Sequence, residues 1–76
     1  MGRWTAEIMS DPLRDHKLHV ELLEDGVYRA RLIQDDDGAL QLRIYGGKET
    51  VIPVDWLAGI VRRFQDDLAA IHGQSQ

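Results

Sequence analysis

The chain contains no cysteine. Disulfides and thiolate metal sites are therefore excluded as supplements to a small core, and a reducing, cytoplasmic setting is the expectation. Proline is scarce, with only Pro12 and Pro53 to interrupt regular structure. No apolar run is long enough to span a bilayer and no secretory leader is evident, so no membrane partner is expected. Ala6 stands where a myristoylation signal needs Ser or Thr. Serine occurs only at Ser10 and Ser75, neither in a nucleophile motif. An excess of positive charge is also lacking: 9 Lys and Arg face 13 Asp and Glu, for a formal net charge of −4. That balance disfavours a strong phosphate footprint, though local basic patches remain compatible with it.

Seventy-six residues suffice for one small domain, residues 1–76, with 73–76 as a frayed tail. Its core lies near the lower limit for independent stability. Without disulfides or metal, homodimerisation is the common remaining device at this size.

The long helical pattern is DWLAGIVRRFQDDLAAI, Asp55 to Ile71. Leu57, Ile60, Val61, Phe64, Leu68 and Ile71 recur at steps of three and four and define one face, opposite Arg62, Arg63, Asp66 and Asp67. Asp55 suits the N-cap, Gly73 the left-handed position beyond the end, and His72 the negative end of the helix dipole. Gly59 is a local weakness, either a tolerated surface glycine or a point of close approach.

Strand patterns precede the helix. Arg3 to Met9 alternates, with Trp4, Ala6 and Ile8 opposite Thr5 and Glu7. Ser10 to Asp15 reads as a loop. Leu18, Val20 and Leu22 alternate with Lys17, His19 and Glu21. Val27 to Ile33 and Leu40 to Tyr45 are further strands, and Glu49 to Val54 a short last one. Glu24-Asp25-Gly26, Asp35-Asp36-Asp37-Gly38 and Gly46-Gly47 mark turns. Connections this short permit only hairpins. The expected fold is α+β: an antiparallel β-meander of four to five strands with one C-terminal amphipathic helix packed on one face.

A three-residue loop over Glu24-Asp25-Gly26, with Gly26 in a G1 bulge, would point Leu18, Val20, Leu22, Tyr28, Ala30 and Leu32 toward the helix. A similar connection over Asp35 to Asp37 would set Leu32 opposite Leu40, Ala30 opposite Leu42 and Tyr28 opposite Ile44. The outer face would then carry His19, Glu21, Arg29, Arg31, Gln41, Arg43 and Tyr45, with Arg29 between Glu21 and Arg43. Such a face is either solvated sheet surface or a recognition surface. Arginine forks match phosphate and carboxylate, and tyrosine can stack on a base.

Trp4 and Trp56 suit packing at the helix–sheet edge, or else an interface anchor. Other constellations are weak. His16 and His19 point to opposite faces of a strand, which does not suit a shared metal, and His72, Asp11 and Asp15 do not complete a set. The Asp35 to Gly38 run lacks a calcium loop's spacing. Gly46-Gly47-Lys48-Glu49-Thr50 lacks a phosphate loop's glycine spacing and a following helix. No catalytic residues, metal or cofactor are expected, and the chain does not read as an enzyme.

Within Gly38 to Val61, Leu40-Gln41-Leu42-Arg43-Ile44-Tyr45, then Glu49-Thr50-Val51-Ile52, then a helix with early Trp56 resemble the transcriptional coactivator single-strand-binding family. In that family the open sheet face of a dimer binds unpaired DNA through basic and aromatic residues. The resemblance implies that role for Arg29, Arg31, Arg43 and Tyr45. The chain departs from it in lacking a basic turn between the last strands and in the sign of its net charge.

Size and acidity also match the small regulators and inhibitors that phages and other mobile elements encode. The first expectation is thus a non-enzymatic module that binds another protein. Its contacts would be the acidic turns Glu24-Asp25 and Asp35, Asp36 and Asp37, with Asp66 and Asp67; the other candidate binding surface is the sheet face with His19, Arg29, Arg31, Gln41, Arg43 and Tyr45. Single-stranded nucleic-acid binding on that face is the alternative.

Overall fold

The computed structural model describes residues 2–15, 17–46 and 49–74. Strands β1 (Trp4–Asp11), β2 (Lys17–Glu24), β3 (Val27–Gln34) and β4 (Leu40–Ile44) form one antiparallel sheet in chain order, followed by helix α1 (Val54–Gln74). This is the α+β meander with a C-terminal helix that the alternation predicts. Among the described residues it has four strands. Residues 49–53, expected to open a fifth strand, carry the chain irregularly to the helix, with Ile52 packed on the core.

The core sits under the middle of the sheet. Val20 and Leu22 from β2 and Ala30 and Leu32 from β3 meet the fully buried Phe64 of α1. Leu57, Ile60, Val61 and Leu68 extend the helical stripe around them. Trp4 and Trp56 pack against the same cluster, their ring centroids 5.7 Å apart. A single helix cannot cover four strands, since neighbouring strands lie about 4.8 Å apart and a helix is about 10 Å wide. Ile8 on β1 and Leu42 and Ile44 on β4 accordingly remain exposed at the margins.

Several local expectations are corrected. Pro53, not Asp55, takes the cap position, because its carbonyl accepts the first helical bond from the Leu57 N–H at 3.0 Å. Asp55 lies inside the first turn, where its carboxylate still meets the positive end of the dipole. Gly73 is helical rather than a left-handed terminator, since α1 runs to Gln74. The His72 side chain, His16, Gly47 and Lys48 lie outside the described residues, as does the end of the expected tail. Space beside Gly59 is open, with nothing within 4 Å of where a Cβ would be, so it is a surface glycine.

The hairpin between β2 and β3 differs from the expected loop. Asp25 and Gly26 both have positive φ, 51° and 81°, and Glu24 pairs directly with Val27. This is a two-residue primed turn, for which Asp-Gly is a strong sequence preference. The bulge lies further along β3 instead: Leu23 pairs with Tyr28 and Leu22 with Ala30, leaving Arg29 as the extra residue. With all residues of β3 paired in an unbulged ladder, the two-residue turn would set Leu22 beside Arg29 and bury Glu21 with Ala30. The bulge restores the apolar alternation after one step.

The register therefore shifts by two from the expected one. Glu21 faces Arg31, not Arg29, and Arg31 faces Arg43. Tyr28 moves from the helix side to the open side. Between β3 and β4, Gln34 faces Leu40, Leu32 faces Leu42 and Ala30 faces Ile44. A two-residue offset preserves faces, so Leu40, Leu42 and Ile44 still share the helix side.

Candidate functional site: the open sheet face

Alternation along the strands assigns the side away from α1. Its central row crosses all four strands as Glu7, Glu21, Arg31 and Arg43, each opposite the next. A second row runs Met9, His19, Ile33 and Gln41. A third holds Thr5, Leu23 and Tyr28, with Tyr45 just beyond β4.

One end of this face is built tightly. Tyr45 is fixed by its N–H, which donates to the Arg29 carbonyl at 2.8 Å. The bulged residue thus positions Tyr45 through its backbone. Arg31 donates from Nε to the Tyr45 hydroxyl at 3.1 Å, and its guanidinium lies 5.7 Å from the Tyr45 ring centre. Tyr28 meets Tyr45 edge to face at 5.1 Å, a favoured aromatic geometry.

The three groups shift one another's protonation. Burial and the hydrogen bond toward Tyr45 raise the Tyr28 hydroxyl. For Tyr45, burial alone would raise the value, but hydrogen bonds toward Tyr28 and Arg31 and the charges of Arg31 and Arg43 together lower it. The bond to Tyr45 raises Arg31, outweighing its desolvation.

Charge on the central row is separated, acidic on β1 and β2 and basic on β3 and β4. Arg31 reaches toward Tyr45, away from Glu21. Among the described residues no ion pair engages Glu7, Glu21, Arg31 or Arg43. Arg29, expected on this face, instead forms an ion pair with Glu24 at 3.3 Å. The ladder sets Glu24 opposite Trp4, on the helix side of the sheet. His19 is 9% exposed and Ile33, opposite it in the ladder, only 3%, so this part of the face offers little surface. Among the described residues the His19 Nδ1 has no hydrogen-bond partner.

The structure therefore brings His19, Arg31, Gln41, Arg43 and Tyr45 together and removes Arg29. Glu7, Met9, Leu23, Tyr28 and Ile33 belong to the face as well. Continuing the period-two count through β1 and to Ile33 was enough to find Glu7, Met9 and Ile33, whereas Tyr28 depends on the bulge.

The acidic turn is a separate feature with internal tasks. Asp35 Oδ1 accepts the N–H groups of Asp37 and Ala39, and Oδ2 accepts from Gln41 Nε2. Asp36 pairs with Lys17 at 2.8 Å. Asp37 is exposed. Among the described residues no group of three or more His, Asp or Glu is placed to hold a metal ion. No described helix is long and apolar enough to cross a membrane.

No protein-family model matches the chain, and neither the curated proteins nor the solved structures include a match to it.

Proposed function

We infer that this chain is a non-enzymatic protein-binding module acting in the cytoplasm, and that the open sheet face is its docking surface. The observation that carries this reading is the Tyr28–Arg31–Tyr45 cluster, locked by a hydrogen bond and two ring contacts. Tyrosine and arginine are favoured anchors of protein interfaces, and groups already held in place lose less entropy on docking. Leu23 and Met9 add apolar surface beside them. The central row has two acidic and two basic residues, a neutral balance suited to a protein partner of mixed charge.

The adjacent Arg31 and Arg43 beside two tyrosine rings also favour a second reading, single-stranded nucleic-acid binding. Glu7 and Glu21 oppose it by repelling phosphates on the same face. An oligonucleotide titration separates the two. Binding that weakens steeply with salt and disappears in Arg31→Ala/Arg43→Ala supports the nucleic-acid reading, and absence of binding at low salt removes it.

For protein binding, the wild-type chain should retain one stoichiometric protein partner, whether a second copy or another chain. Tyr28→Ser/Tyr45→Ser should lose it, while Asp37→Asn, on the exposed turn, should keep it. Retention by the tyrosine double variant, or no protein association at all, overturns the reading.

A further inference from the structure

We propose that the open sheet face takes a second copy of this chain, related by a two-fold axis that runs parallel to the strands between β2 and β3. This proposal rests on the protein-binding reading and names the partner of the same surface.

The order of charges across the sheet selects this axis. The row reads acidic, acidic, basic, basic from β1 to β4. Turning a copy about an axis parallel to the strands reverses strand order but keeps each row at its height. β1 then lies over the partner's β4, and β2 over the partner's β3. Every acidic residue meets a basic one: Glu7 meets the partner's Arg43, and Glu21 meets the partner's Arg31. Symmetry repeats both contacts, for four complementary pairs. The perpendicular in-plane axis stacks each strand on its own copy, with Glu on Glu and Arg on Arg. The charge row thus discriminates between the two ways of packing the sheets face to face.

One neighbouring row agrees with the same axis. Leu23 falls against the partner's Tyr28, whereas His19 and Ile33, 9% and 3% exposed, add almost no contact area. Facing sheets pack about 10 Å apart, a gap that Glu and Arg side chains can bridge from both sides. Glu21 is half-buried yet lacks an ion pair, because Arg31 leans to Tyr45. A second copy supplies the missing cation. Four strands at about 4.8 Å spacing, five to six residues deep, offer on the order of 400 Å² in projection, and more once side chains are counted. Two such faces total about 800 Å², below the roughly 1,200 Å² of stable specific interfaces, so a weak dimer with a dissociation constant in the high-micromolar range is expected.

Charge-swapped variants test the pairing. Glu21→Arg alone sets arginine against the partner's Arg31, and Arg31→Glu alone sets glutamate against the partner's Glu21. Each should weaken the homodimer by about tenfold or more. In an equimolar mixture of the two variants, both cross-copy pairs become complementary, so a heterodimer should form. Sedimentation equilibrium up to high-micromolar protein reads the masses, and circular dichroism checks that each variant is folded.

Dimer in the wild type, weakening in each single variant and recovery in the mixture support the proposal. A monomeric wild type, single variants as dimeric as the wild type, or no recovery by folded variants on mixing each overturn it. Should a variant fail to fold, Glu7→Arg and Arg43→Glu provide the same exchange at the sheet edges. A monomeric wild type that still binds another protein through Tyr28 and Tyr45 sinks only the second-copy proposal. Lack of any association sinks both readings.

Discussion

Deleting Arg29 and deleting Ala30 each shorten β3 by one residue at adjacent positions, yet the two changes should differ greatly in effect. Without Arg29, Tyr28 joins Ala30 directly and the ladder runs unbroken, with Leu23 opposite Tyr28 and Leu22 opposite Ala30. Two interactions disappear. The ion pair to Glu24 joins side chains that are 32% and 28% exposed, so solvent screening holds it to about 0.2–1 kcal/mol. The hydrogen bond from the Tyr45 N–H contributes about 0.5–1.5 kcal/mol. The expected loss is therefore about 0.7–2.5 kcal/mol. Without Ala30, Arg29 itself moves opposite Leu22, into a position with no exposure beneath Phe64. An unpaired buried cation costs about 3–5 kcal/mol or more, against a total of about 4–11 kcal/mol expected for a chain of this length. Urea unfolding followed by fluorescence of Trp4 and Trp56 compares the two. The Arg29 deletion should retain a cooperative transition at a slightly lower midpoint, and the Ala30 deletion should lose most of its folded baseline. Equal midpoints, or a greater loss on deleting Arg29, would refute the bulge assignment.

Phe64→Ala empties the site where helix and sheet meet and should lower unfolding free energy by about 3–5 kcal/mol in the same assay. Gly59→Ala meets open space in mid-helix and should stabilise the chain by about 0.8–1 kcal/mol, seen as a higher urea midpoint. Alkaline absorbance titration should resolve Tyr45 below the ordinary phenol value of about 10 and Tyr28 above it, with Tyr45→Phe abolishing the earlier step. The linked stability effects have opposite signs. Tyr45 contributes stability above its unfolded value, lost as pH falls through the lowered folded value, whereas Tyr28 contributes stability below its unfolded value, lost as pH rises through the raised folded value.

The legible parts of this fold are those set by repeated residues. Leu18, Val20 and Leu22 fix the inner side of β2 by period two, and Leu57, Ile60, Phe64 and Leu68 fix the helical stripe by period 3.6. Many residues support each assignment, so one irregular position does not alter it. Register is different. It depended on whether one extra residue lay in the turn or in the strand, and both choices put Val20, Leu22 and Ala30 on the same side. The backbone preference of Asp25-Gly26 for a two-residue turn decided the matter. Counting apolar faces could not detect that difference. Among the candidate site residues the mistaken choice changed the side of Tyr28 and Arg29.

That displacement changes the chemistry of the face. With Arg29 included, Arg29, Arg31 and Arg43 would stand on one surface with Glu21 as their counter-charge, a pattern suited to an anion. The bulge turns Arg29 to Glu24, and completing β1 adds Glu7. The row becomes two acidic residues followed by two basic ones, in an order that its own two-fold copy complements. Glu21 gives this argument its force. It stands directly opposite Arg31 in the ladder, where an internal ion pair is sterically available, but Arg31 is held by Tyr45 and the acidic half of the row keeps its charge outward. Tyr45 is there because the bulged carbonyl of Arg29 accepts its N–H. A single inserted residue thus removes one arginine from the face and anchors the tyrosine that holds a second. It leaves Glu21 without an ion pair among the described residues, although Arg31 stands opposite it in the ladder.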